Sequence, residues 1–138
     1  MCEEHKLEEI QIGQKKFFSV KITESLVNEF AKISGDFNPL HMDEQYAKST
    51  NFQRRVCHGM LLASFFSKMI GMYLPGKNAL YFSQTLNFRL PCFIQDNVTV
   101  EGEVLEKSLA SRMLTLKTVI NNEDGKCLVD GIAKVLVR

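Results

Sequence analysis

The 138-residue sequence has no CxxC pair, no block of like charge, no internal repeat and no apolar stretch of membrane-spanning length. Each absence removes a class of function. Cys2, Cys57, Cys92 and Cys127 are scattered, with no histidine at zinc-ligand spacing, and read as reduced thiols acting as small apolar side chains. Seventeen basic and 16 acidic residues are interspersed to a net charge of +1. That leaves no basic stripe for a nucleic-acid backbone and no acidic solvating tail. The opening MCEEHKLEEIQIG lacks the apolar core of a secretory signal. The most apolar stretch, Met60–Leu74, contains Lys68 and falls short of the roughly 20 residues a spanning helix requires. A cytoplasmic globular domain over 1–138, with no membrane and no nucleic-acid partner, is therefore expected. Chains of this size bury roughly two-thirds of their unfolded surface and need no metal or disulfide staple.

What is present alternates. FFSVKI (Phe17–Ile22) reads as a strand, and Thr23 then caps a helical pattern through Leu26, Val27, Phe30, Ala31 and Ile33 that stops at Gly35. A short helix capped by Asp43 is expected over Asp43–Ser49. Gly59 opens a second long helix, Met60–Tyr73, apolar nearly all round and so expected to be buried. Ala79–Leu90, Asn97–Ser108, Ser111–Asn121 and Lys126–Val137 read as strands. Asp124-Gly125 marks a hairpin between the last two. The order predicts an α+β fold: an antiparallel sheet wrapped around a buried central helix.

One segment fits neither element type. SGDFNPLHMD places Asp36 and His41 five residues apart, with Asn38-Pro39 between them. Pro39 disfavours helical backbone at Asn38, so a folded loop is expected there. Such a loop can aim a carboxylate and an imidazole at one water, as general acid–base chemistry requires. The plainer reading is an Asx turn and a structural histidine. Downstream, VCHGMLLAS puts His58-Gly59 at the mouth of the buried helix. A helix N-terminus offers unpaired N–H groups, and a glycine there allows close approach by a substrate oxygen, as an oxyanion site needs. A tight turn would also use Gly59, and His58 reads as structural.

Together SGDFNPLHMD, VCHGMLLASFFS and LPGKNALYFSQTLNFRLPCF resemble the (R)-specific enoyl-CoA hydratases of the MaoC-like, hot-dog-fold family, along essentially the whole chain. The resemblance implies a single hot-dog domain with Asp36 and His41 as catalytic dyad and the Gly59 N–H as oxyanion donor. It implies Ser67 as a supporting active-site serine and Asn38 as the residue fixing the loop. Ala63 and Ile70, on the helical face of Gly59 and Ser67, are expected to line an acyl tunnel. The implied reaction is hydration of a trans-2-enoyl-CoA to the (R)-3-hydroxyacyl-CoA, with no metal or other cofactor, in a homodimer. A 3-hydroxyacyl-carrier-protein dehydratase is the alternative. A hot-dog thioesterase and a non-catalytic acyl-thioester-binding subunit stand further off. Arg54, Arg55, Lys77 and Arg89 all remain open as contacts for the CoA head.

Overall fold

The alternation read in the second half of the chain is the pleat of one sheet. The computed structural model describes residues 1–138. In chain order it runs β1 (Lys15–Lys21), α1 (Glu24–Ser34), α2 (Pro39–Met42), α3 (Glu44–Lys48), α4 (Gly59–Lys68), β2 (Ala79–Gln84), β3 (Asn87–Phe88), β4 (Asn97–Ser108), β5 (Met113–Asn122) and β6 (Cys127–Val137). The strands pair antiparallel in the order β1-β4-β5-β6-β2, with β3 also on β6. Val98, Val100 and Val104 face inward beside Leu114, Leu116, Thr118 and Ile120, each at most 1% exposed. At the β5–β6 turn, Gly125 has φ +76° and the Asn122 carboxamide accepts the N–H groups of Asp124 and Lys126.

α1 begins and ends where its sequence says. The Thr23 hydroxyl accepts the Leu26 N–H at 3.1 Å, and Gly35, at φ +80°, closes the helix with its N–H on Ala31 O. We expect Thr23→Ala to lower stability by about 1 kcal/mol in a denaturant titration, with an unchanged m-value.

α4 packs on one face of the sheet, sharing a core with Phe18, Val100, Ile120 and Val129, and continues as a π-helical turn over Met69–Tyr73 in which Leu74 N–H reaches Met69 O. Its inward face carries Leu61, Leu62, Phe66, Met69 and Ile70. The expectation of a helix hidden on all sides needs correction. Met60 is 55% exposed, and Ser64, Ser67 and Lys68 also face outward. One helical face is open in the single chain because the sheet covers only the other.

The expected single strand Ala79–Leu90 is also broken in two. Gly131 on β6 has no side chain, and the backbone of Thr85 crosses directly over it. Thr85 is latched there by its N–H on Ile132 O and by its hydroxyl accepting the Ile132 N–H. The crossing displaces the ladder and leaves β3 as a separate two-residue pairing with Asp130 and Val129.

The two sheet edges differ in kind. β1 is lysine-rich, with Lys15, Lys16 and Lys21, as edges that resist pairing usually are. β2 carries no lysine and exposes Leu80 and Phe82, at 54% and 74%, whereas on β1 the exposed Phe17, at 68%, sits among the lysines.

No helix is long and apolar enough to cross a membrane.

Candidate active site

Local chemistry shapes the Asp36–His41 segment. Gly35 ends α1, and the Asp36 carboxylate accepts the Asn38 N–H at 3.1 Å in an Asx turn. The Asn38 carboxamide in turn caps α2 by accepting the Leu40 N–H at 2.9 Å, with Pro39 at the first helical position. His41 thus stands on a single helical turn rather than on the irregular loop expected. Asn38 acts through the backbone of that turn and does not line the adjacent cavity.

The extended segment at Val56, between α3 and α4, grips this turn from the other side. Val56 N–H donates to Leu40 O, and the carbonyl of Val56 receives the Nδ1–H of His41 at 2.7 Å. That bond fixes the tautomer: Nδ1 carries the proton and Nε2 keeps a free lone pair. Nε2 faces Asp36 Oδ2 across 3.9 Å, too far for a direct hydrogen bond. His41 is largely shielded, with 17% of its side chain exposed, against 48% for Asp36.

His58 completes the arrangement. Its ring lies against that of His41, with centroids 4.1 Å apart and planes tilted by 32°, while Nε2 donates to Asp36 O at 2.9 Å. Burial lowers the His58 pKa, more than the Asp36 carbonyl bond raises it, so the ring is neutral. With Nε2–H engaged, the buried Nδ1 has no partner and is a bare lone pair, a smaller penalty than an orphaned N–H. The reading of His58 as structural fits these contacts: it braces the backbone of one residue and the ring of the other.

Asp36, His41 and His58 present ligand atoms within 4.8 Å of one another. Each imidazole already commits one ring nitrogen to a backbone carbonyl, His41 Nδ1 to Val56 O and His58 Nε2 to Asp36 O.

Gly59 opens α4 beside this pair. No side chain caps the helix, and the N–H of Gly59 has no acceptor within the chain. A Cβ at Gly59 would lie 2.8 Å from the Phe88 ring, so the glycine keeps the wall thin at that point. Asp36, His41 and Gly59 all line one cavity of about 510 Å³, whose walls also carry apolar groups including Phe52, Leu62, Phe88 and Val129.

The structure therefore brings Asp36, His41, His58 and Gly59 to one cavity, with Arg89 also on its wall, and leaves Ala63, Ser67 and Ile70 apart from it. Ala63 and Ser67 do not line this cavity, and Ser67 is exposed on the open face of α4. Ile70 packs with Leu7, Ile10 and Leu74 in a second core cluster. The cavity opens at the N-terminus of α4, whereas helical spacing had pointed along its length. Of the four candidate cations, Arg89 alone lines the cavity, with its guanidinium on Asp130 at 3.2 Å. Arg54 lies over the Phe93 ring, and Lys77 pairs with Glu4.

Arg55 has a role that sequence reasoning missed. Its Nε donates to His41 O at 2.5 Å, and its two terminal nitrogens reach Glu24 and Asn28 on α1 at 2.9 and 3.0 Å. It ties the turn bearing His41 to α1. A basic residue one position from Val56 gave no signal of this, because the partners lie on separate elements.

Comparison with known proteins identifies the family. A model of the MaoC-like domain matches residues 8–125. The chain is 44% identical to an (R)-specific enoyl-CoA hydratase of Aeromonas caviae, over 91% of this chain and 94% of that one. It is 38% identical to an (R)-specific enoyl-CoA hydratase of Rhodospirillum rubrum, over 96% and 92%. An R-hydratase structure from Pseudomonas aeruginosa superposes with a TM-score of 0.95 at 38% identity, covering 99% of this chain and 87% of that one. With its hot-dog sheet and its Asp-x-x-Asn-Pro-x-His turn at the mouth of the central helix, the chain belongs to the MaoC-like domain family.

Proposed function

We propose that the protein is an (R)-specific enoyl-CoA hydratase, a hydro-lyase that adds water to a trans-2-enoyl-CoA in a single domain spanning residues 1–138. The observation that carries this reading is the convergence of Asp36, His41 and the unpaired Gly59 N–H on one apolar cavity. The hydratase relatives support the same activity.

The thioester carbonyl would accept a hydrogen bond from Gly59 N–H, which stabilises the enolate-like charge that develops as water adds. The 3.9 Å between Asp36 Oδ2 and His41 Nε2 suits one water held by both. His41 takes a proton from that water through Nε2, its free nitrogen, while the Asp36 carboxylate accepts the other water hydrogen and orients the oxygen. The oxygen bonds to Cβ, and the proton returns to Cα on the same face. Atoms balance without transfer of electrons to a cofactor.

Asn38 holds the turn, and the acyl chain lies against the apolar wall near Phe88 and Leu62. Arg89, on the cavity wall, would meet the polar part of CoA. Its charge is matched by Asp130 rather than grouped with other cations, which favours CoA over an acidic carrier protein. The apolar β2 edge and the open face of α4, where Ser67 and Met60 are exposed, support a homodimer in which a second copy covers both. Such a partner would bring Ser67 under cover, beside the Ala63–Ile70 helix face. A cytoplasmic enzyme accords with its reduced thiols.

The test is incubation with crotonyl-CoA, following loss of the conjugated thioester and release of free CoA thiol in parallel. Hydration without thiol release supports the reading. Thiol release would identify a thioesterase, and no reaction with short or long enoyl-CoA would leave a carrier-protein dehydratase or a binding subunit.

Arg55 supplies a second prediction. Arg55→Met should lower kcat on the order of 10-fold to 10²-fold, with little change in KM, because it loosens the turn bearing His41 without touching substrate. Added guanidinium should restore part of the loss; a variant with unchanged kcat would remove Arg55 from the account.

A further inference from the structure

Two buried thiols line the cavity, and the mechanism above uses neither. Cys57 and Cys92 lie 3% and 1% exposed within one core cluster, and both border the cavity that holds Asp36 and Gly59. Their placement follows from a local antiparallel bridge outside the named strands. Val56 and Phe93 form an antiparallel bridge, so the next residue of one segment lies opposite the preceding residue of the other. Cys57 therefore faces Cys92, and its N–H donates to Cys92 O at 2.7 Å. Residues directly opposed across antiparallel strands project to the same face, with Cα atoms about 5.5 Å apart where the pair is hydrogen-bonded.

From this geometry we propose that Cys57 and Cys92 form a cross-strand dithiol site for a trivalent arsenical, whose capture blocks the cavity beside Gly59. The chemistry suits thiols in their neutral state. Hydrogen bonding with Cys92, and then burial, hold the Cys57 thiol well above the ordinary thiol range, which makes it a slow nucleophile toward electrophiles that require a thiolate. Arsenous acid has no such requirement. Each thiol proton leaves with an arsenic-bound hydroxyl as water, so two S–H and two As–OH bonds become two As–S bonds and two waters. The product is a dithioarsenite that keeps one hydroxyl, and no atom changes oxidation state. A direct S–S bond between hydrogen-bonded cross-strand partners would need their Cβ atoms drawn within about 3.5–4.5 Å, whereas an arsenic atom spans a wider gap. Cys2 and Cys127 stand outside the cavity and have no thiol partner.

The test uses arsenite and reads mass as well as activity: the mass readout stands apart from the hydratase reading, and the activity readout rests on it. Wild-type protein should gain one AsOH unit less two hydrogens per chain, and its arsenic X-ray absorption should show two sulfur neighbours. Cys57→Val and Cys92→Val, close in volume to the native residues, should each lose the adduct. The doubly substituted Cys2→Ser, Cys127→Ser protein should keep it. Hydration of crotonyl-CoA should fall in step with the modified fraction and return with 2,3-dimercaptopropanol. No arsenic uptake by wild type, an adduct that persists in Cys57→Val or Cys92→Val, or full activity in the modified protein would each overturn the proposal.

Discussion

Asp36→Asn and His41→Gln should each lower kcat/KM for crotonyl-CoA by about 10²–10⁴-fold, with thermal unfolding close to that of the wild type. The geometry makes both variants clean probes. In Asp36→Asn the side-chain carbonyl can still accept the Asn38 N–H that forms the Asx turn, so the segment keeps its shape while the charge that orients water is gone. In His41→Gln the amide can donate to Val56 O in place of Nδ1–H, but nothing replaces the basic Nε2. Because the two groups act on one water, their losses should not add: the double variant should be little worse than the poorer single one. Steady-state hydration rates of the three proteins check this. Fully additive losses would mean that the residues act independently.

Gly131→Ala should cost on the order of 4 kcal/mol of stability or more, read as a shift in the denaturant midpoint. The added Cβ would overlap the Thr85 carbonyl oxygen and come 3.0 Å from Gln84 Nε2. Neither can step aside cheaply. Thr85 is fastened to Ile132 through its N–H and its hydroxyl. The Gln84 amide bridges Thr85 O and the buried Thr118 hydroxyl, at 2.8 and 2.9 Å, and that hydroxyl donates to Gly131 O itself at 3.1 Å. Lifting the crossing would leave these buried polar groups unpaired. It would also disturb β3, whose Phe88 lines the cavity, so weaker substrate binding should accompany the loss of stability. A cost under about 1 kcal/mol would show that the crossing yields easily.

The same crossing marks where the sequence stopped being informative. Alternating valines and leucines dictated β4, β5 and β6, because each strand buries one face and a pleat has a period of two. Thr23, Gly35 and Asp43 announced their helix ends by local chemistry acting within four residues. The break at Thr85 has no local cause. It arises from a glycine 46 positions away, Gly131, and no periodicity in Ala79–Leu90 registers that.

The site divides in the same way. The Asp36-to-His41 spacing and the glycine at a helix mouth carry local meanings that could be read directly. Which nitrogen of His41 is free depends on Val56 O, 15 residues on, and Arg55 reaches across 27 and 31 residues to Asn28 and Glu24. The cavity lies at the end of α4 instead of along Ala63, Ser67 and Ile70, because Ile70 belongs to the distal core. Helical spacing gives a shared face but not what covers it.

The most direct test of the central claim, that Asp36 and His41 add one water across a double bond polarised at Gly59, is hydration of crotonyl-CoA in D₂O with the product analysed by NMR. The account predicts (R)-3-hydroxybutyryl-CoA with a single deuterium at C2, on the face to which the oxygen added. An (S)-alcohol, deuterium on the opposite face, or free CoA with the double bond intact would contradict it.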